Sequence, residues 1–336
     1  MAKNVSGDAR INWVDMARGY GIILVIIGHI ESFGTQWDHV LRSEIYSFHM
    51  PLFFMISGFL FSAMKYTPKE FLAKRLKGIM LPYLLIGLAI IAVNWLFYDM
   101  GDFGALIFYF KELAVQNRFH VIWYLSCLFV SEIVFYAIVR LLKDCWWQTA
   151  IICTMLAALG LTYYYTGGQS LPWNVDVCPM AVFFIFLGYS VKKIKLKQDI
   201  KYFVIAIIIN VVCVALNEII LGRNLEMFNR SYAIVPFSLA AALAGVYVVY
   251  WLSVKWQFAP IEYIGKYSLV YFGLHQAFTL EGWKMLCGMM GWFPNRENPV
   301  QGIIYIILDT LISVGLLTLV NILVQWIKTR IKTSKK

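Results

Sequence analysis

The feature that most constrains this chain is a series of long apolar runs. A helix that crosses a bilayer needs about 20 mostly apolar residues, because the hydrocarbon core is roughly 30 Å thick and each helical residue rises about 1.5 Å. Ten such runs stand between charged or Gly/Pro-rich breaks: 12–33, 44–64, 79–98, 121–142, 148–166, 177–191, 202–221, 232–253, 265–281 and 301–327. With 60% hydrophobic and 14% charged residues, the chain is too apolar for one soluble core inside a wettable surface. The expectation is an all-α polytopic membrane protein with about ten transmembrane helices. Composition does not shift along the chain and no internal repeat shows. Residues 1–336 therefore read as a single membrane domain with tails at 1–11 and 328–336.

An even number of crossings puts both termini on one side, and the cations indicate which. Of 29 Lys and Arg residues, seven fall on the far side: Arg42, Lys111, Arg118, Arg223, Arg230, Lys284 and Arg296. The remaining 22 of 29 gather with the termini, so the positive-inside rule makes both termini cytoplasmic. The same distribution accounts for the net charge of +10: basic residues beside an anionic leaflet serve topology and contact with membrane lipids, and no nucleic-acid partner is needed. The apolar run after Arg18 ends in Gly28-His29-Ile30-Glu31, not in a small-x-small cleavage site, so it is expected to stay as a helix. Six cysteines show no paired metal-ligand spacing; they read as small apolar residues, and no metal is expected.

Ionisable groups at bilayer depth are costly and tend to face cavities. The candidates are Asp15, Arg18, His29, His49, Glu132, Glu218, His275 and Asp309. Arg18 and His29 are eleven residues apart, three helical turns plus about 20°, so they share a face with a rise of about 16 Å between them. Asp15 is three residues before Arg18 and can pair with it. Ile22 and Val25 fill the stripe between. This suits an amphipathic ligand with an anionic head at the cytoplasmic surface and a reactive end near mid-membrane, the form of an acyl-coenzyme A. Its phosphates would meet Arg18 and the loop bearing Lys74, Arg75 and Lys77, and its thioester would reach His29, where an imidazole can take a proton from an attacking hydroxyl.

Helix geometry alone leaves His29 open between that role and a buried imidazole bonded to a neighbouring helix. Arg18 is equally readable as a snorkelling anchor. His49 opens the run Phe48-His49-Met50-Pro51, where Pro51 frees a carbonyl and favours a cavity wall. Ser57-Gly58 permits close approach of another helix. Glu132 is either a protonated, hydrogen-bonded core residue or the group that orients a catalytic imidazole. His275 is either a cavity-lining contact to an acceptor or a packed histidine.

Five ordered stretches carry a resemblance. Residues 13–29 (WVDMARGYGIILVIIGH) hold an Arg and, after ten residues, a His; the others are 48–61 (FHMPLFFMISGFLF), 71–83 (FLAKRLKGIMLPY), Trp123-Tyr124-Leu125, and 264–275 (IGKYSLVYFGLH). Together the chain resembles the membrane acyltransferase-3 family, and around Asp15 and Phe48–Pro51 its fucose 4-O-acetylase-like branch. The resemblance implies O-acylation, usually O-acetylation, of a carbohydrate or its lipid-linked precursor, with acetyl-CoA as the cytoplasmic donor, in the bacterial inner membrane. It maps the catalytic His to His29, the first-helix Arg to Arg18, and one of two basic-loop arginines to Arg75. The second falls at Lys77 or Gly78, where a Lys is a point charge and no bidentate fork. The expected set is His29 and Glu132 as catalytic, Arg18, Lys74, Arg75 and Lys77 on the donor, His49, Trp123 and His275 on the acceptor, and Asp15 in support. Some relatives carry an esterase-like domain after the last helix; here transfer is expected to finish in the membrane domain or on a separate protein. The alternative is a carrier moving a glycan intermediate or small solute through a polar cavity.

Overall fold

The structure, a computed structural model, describes residues 12–30, 36–194, 196–291 and 298–333. The expected tail over 1–11 lies outside them. About 80% of the described residues are helical, and no strand occurs among them. In chain order the helices are α1 (Asn12–His29), α2 (Gln36–Phe59), α3 (Pro68–Arg75), α4 (Leu81–Val93), α5 (Phe103–Val115), α6 (Trp123–Leu141), α7 (Trp146–Tyr165), α8 (Cys178–Val191), α9 (Ile200–Leu221), α10 (Val235–Lys255), α11 (Ala259–Lys266), α12 (Ser268–Leu274), α13 (Glu281–Met289) and α14 (Pro299–Thr333).

Six helical segments among the described residues are long and apolar enough to cross a membrane: Pro68–Tyr98, Trp123–Leu141, Pro172–Val191, Ile200–Leu221, Val235–Lys255 and Pro299–Arg330. Their outer faces carry exposed Ile, Leu, Val and Phe, notably along α9 and α14, a surface that water would not tolerate and lipid does. The chain is thus a multi-pass membrane protein. The other expected spans are also helical, over α1, α2, α7 and α11–α13. The apolar stretch around Phe103–Phe110 forms α5, which at 13 residues reaches only about 20 Å and is too short to cross.

Two expectations are revised. The basic stretch 65–77 is not a loop, because Thr67-Pro68-Lys69-Glu70 is a capping box: the Thr67 side chain accepts from the Glu70 amide, the Glu70 carboxylate accepts from the Thr67 amide at 2.9 Å, and Pro68 starts the helix. A cap of this kind nucleates α3 without packing. The helix then continues through a π turn at Leu76–Met80 into α4 and a second at Asn94–Tyr98. The run 265–281 is not one helix either. It breaks at Tyr267 (φ −113, ψ 25) and passes from α12 into a π turn at His275–Leu280, the kind of irregularity that recurs at functional sites.

Helix α1 sits at the centre, packed by α2, α10, α11, α12 and α14. Small residues set the closest crossings. A Cβ on Gly58 would lie 1.9 Å from the Ile185 carbonyl oxygen, and one on Gly188 would lie 1.9 Å from that of Met55, so α2 and α8 touch backbone to backbone. The expected close approach at Ser57-Gly58 is this crossing. Gly265 meets the Asp15 carbonyl oxygen in the same way, which fixes α11 against the first turn of α1. These two crossings place the polar residues of α1 and α2 in one interior.

Candidate functional site

Two cavities follow the same face of α1. The first, about 410 Å³, is lined by Arg18 and Ile22 together with Ser57, Arg75, Glu132 and Lys266. Its remaining lining includes Gln325 and Lys328 near the end of α14, so it opens on the side bearing most of the cations. The second, about 230 Å³, is lined by Val25 and His29 with Tyr46, His49, His120, Trp123, Glu226 and Gln276. It lies under the connections before α6 and before α10, at the other end of the helices. The stripe read from the sequence, Arg18-Ile22-Val25-His29, therefore runs from one cavity to the other. Phe272 lines both. It meets Tyr124 edge-on at 5.5 Å between ring centroids, and Tyr124 in turn meets Phe54 at 5.1 Å, which makes an aromatic partition.

The first cavity brings together Arg18 and Arg75, and Asp15, outside its lining, lies 3.8 Å from Arg18 Nη1. Arg75 Nε is 2.6 Å from Glu132 Oε2, and Ser57 donates to the other Glu132 oxygen. Glu132 is 2% exposed, so it needs that cation. It is placed against Arg75 and not against an imidazole. Lys74 and Lys77 do not line this cavity. Lys74 donates to the Tyr66 hydroxyl at 2.7 Å on the exposed surface and holds that phenol below its ordinary range. Two other cations take their place at the mouth, Lys266 and Lys328. Sequence reasoning treats both as topology anchors; the Gly-Lys-x-Ser stretch at 265–268 was the one signal pointing to Lys266.

Three imidazoles share one arrangement: His29 and His49 line the second cavity, while His275 is fully buried and is not part of its lining. His29 Nδ1 is 2.8 Å from the Val25 carbonyl oxygen, and His49 Nδ1 is 3.0 Å from that of Ile45. His275 Nδ1 is 2.7 Å from that of Phe272. A carbonyl only accepts, so each Nδ1 carries the proton and each Nε2 keeps its lone pair. The residue that orients His29 is thus a backbone carbonyl one turn back on its own helix. The His275 ring packs edge-on to His29 at 5.0 Å, with its Nε2 buried and without a hydrogen-bond partner. Tyr46 donates to the Gly28 carbonyl at 2.8 Å and ties the end of α1 to α2. Trp123 lies in the wall with its ring 5.7 Å from Phe228. His120, in the connection before α6, takes a contact from Asn94 at 3.1 Å, and burial pushes it below the usual imidazole range.

Glu226 in this cavity was not anticipated, since it falls in a short polar connection with no motif. Glu218 and Asp309 lie elsewhere, the first accepting from Ser43 at 2.8 Å and the second from Ser313 at 3.2 Å. No group of three or more His, Cys, Asp or Glu among the described residues is arranged to hold a metal ion. What the arrangement offers chemically is an anion-binding mouth, an aromatic partition, and beyond it an imidazole whose basic nitrogen is preset. A family model described as an acyltransferase domain matches residues 11–320. No curated protein and no solved structure matches the chain.

Proposed function

Since the chain belongs to the acyltransferase-3 family, we propose that it is a membrane O-acyltransferase that moves an acetyl group from cytoplasmic acetyl-CoA to a hydroxyl of a cell-surface carbohydrate or its lipid-linked precursor. The observation that carries this reading is the continuity of one face of α1 between a cavity with a cationic mouth and a cavity holding His29. Arg18, Arg75, Lys266 and Lys328 would hold the donor's phosphates, with the pantetheine arm lying along Ile22 toward the Phe272 partition. In this reading ten helices cross the bacterial inner membrane, both termini are cytoplasmic, and the acceptor enters the second cavity from the opposite side. The wording around Asp15 and Phe48–Pro51 favours the fucose 4-O-acetylase-like branch.

In the reaction the acceptor oxygen attacks the thioester carbonyl carbon while its proton passes to His29 Nε2. The tetrahedral intermediate then expels the thiolate, the C–S bond breaks, and the imidazolium returns its proton to sulfur, giving an ester and free coenzyme A. The Val25 carbonyl keeps Nδ1 protonated, so the lone pair stays at the nitrogen facing the acceptor. His49 and Trp123 would contact the acceptor, and His275, expected from the sequence to do so, would support the His29 ring from behind the cavity. Glu132 would act through Arg75, by holding the guanidinium at the cavity wall. A direct test is release of coenzyme A by purified protein in liposomes, given acetyl-CoA and the glycolipid and polysaccharide fraction of the host. Acceptor-dependent release is expected; solute movement without release would favour a carrier instead.

A further inference from the structure

The second cavity is closed on its outer side by the connection between α9 and α10, and this segment is built as a rigid wall. Glu226 and Ser231 exchange two backbone hydrogen bonds of 2.8 and 3.0 Å, closing a tight turn over 227–230. The flanking Leu225, Met227, Tyr232 and Ala233 are buried. Arg118 reaches in from the connection before α6 and donates through Nε to the Phe228 carbonyl at 2.5 Å, while its Nη2 meets Asp176 at 2.5 Å. Arg230 meets the same carboxylate at 3.2 Å and donates to the Gly168 carbonyl at 2.6 Å. Asn224 donates to Glu218, which also accepts from Ser43 of α2. The backbone that carries Glu226 is therefore held from three directions.

The Glu226 side chain is held far less. Among the described residues its one hydrogen bond is from Asn229 Nδ2 to Oε1 at 2.7 Å, and it lines the cavity that holds His29 and His49. Among the described residues the lining carries one carboxylate and no Lys or Arg. The Nε2 atoms of His29 and His49 are acceptors, as their Nδ1 protons are spent on backbone carbonyls, and the Tyr46 hydroxyl proton is spent on Gly28. The nearby guanidiniums of Arg118 and Arg230 are engaged with Asp176 and carbonyls, and the part-buried Arg42 contacts the Ile30 carbonyl at 3.5 Å; none of the three lines the cavity. A lining with one carboxylate, imidazole acceptors, the Asn229 and Gln276 amides and no cation is complementary to an uncharged ligand rich in hydroxyls. An ionised carboxylate only accepts, with lone pairs on both oxygens, and Asn229 takes one of those on Oε1, which leaves room for two hydroxyls on adjacent carbons.

We propose that Glu226 is an acceptor-binding residue that selects a sugar presenting two free neighbouring hydroxyls beside the one acylated, by accepting hydrogen bonds from that pair. The inference rests on the acyl-transfer reading above and adds the substrate class to it: an uncharged polyol face, with phosphate and carboxylate groups directed away from the cavity.

The test uses the purified full chain in nanodiscs with radiolabelled acetyl-CoA and the host glycolipid and polysaccharide fraction as the acceptor probe. Glu226→Gln keeps the volume and removes the charge; Glu226→Ala removes both; each is first checked for wild-type elution and thermal unfolding. The KM for the acceptor fraction is expected to rise about tenfold or more in both variants, as for loss of a hydrogen bond to a charged group, while the KM for acetyl-CoA moves far less. An acceptor KM within twofold of wild type in both variants overturns the proposal. If wild type incorporates no acetyl at all, the acyl-transfer reading fails and this inference with it. If wild type is active, His29→Ala is inactive and the Glu226 variants keep a wild-type KM, only the inference fails.

Discussion

At His29 the nitrogen proposed to take the proton is set by a backbone carbonyl 2.8 Å from Nδ1, which no side-chain substitution removes. Preorganisation of this kind keeps the correct tautomer in place without a buried carboxylate, whose own desolvation would need compensation. Glu132 is instead tied to Arg75 at 2.6 Å, and that pair gives a prediction at this scale. Arg75→Ala strands a buried carboxylate and is expected to lower stability by about 3 kcal/mol as well as to raise the KM for acetyl-CoA. Adding Glu132→Gln should restore thermal unfolding toward wild type without restoring the KM. A double variant that recovers both would show that Arg75 serves the fold alone. The sharing of a face by Arg18 and His29 was legible in the sequence, since an eleven-residue step on a helix can mean little else. Lys328 and Glu226 were not, because each reaches its cavity from a segment far away in the chain and on a line of sequence is one more surface charge; Lys266 was marked only by the Gly-Lys-x-Ser stretch.

At the scale of elements, the crossings made by glycine and the partition made by Phe272 give opposite kinds of sensitivity. Gly188→Leu would drive a side chain into the Met55 carbonyl and is expected to abolish recovery of folded protein in detergent. Gly315→Ala, where nothing lies within 4 Å, should stay within about 1 kcal/mol of wild type. Phe272→Ala would join the two cavities, and acceptor-independent hydrolysis of acetyl-CoA is expected to rise severalfold as water gains the thioester; an unchanged hydrolysis rate would mean that Phe272 does not separate them. Hydropathy located nearly every rod here, since the bilayer demands length and apolarity from each helix. It missed α3, whose start is written in the Thr67–Glu70 capping box and not in hydrophobicity. It also missed the breaks at Tyr267 and His275, which fall inside one apolar run.

For the whole molecule, the two cavities at opposite ends of α1 make sidedness a part of mechanism. The reading requires Lys193 and Arg330 to face the cytoplasm and Asn229 the opposite side. Single cysteines at these positions in a cysteine-free background should divide accordingly with a membrane-impermeant thiol reagent in intact cells, Asn229→Cys being labelled and the other two protected. Labelling of all three alike would break the topology on which donor and acceptor sides are assigned. The central claim is that His29 takes the proton from the acceptor hydroxyl, and it is tested most directly by the O-acetyl content of surface glycans. The comparison is a deletion strain carrying wild-type protein against the same strain carrying His29→Ala at equal membrane abundance. The account predicts that O-acetylation returns with wild type and falls at least about a hundredfold with His29→Ala; equal O-acetylation in the two strains would contradict it.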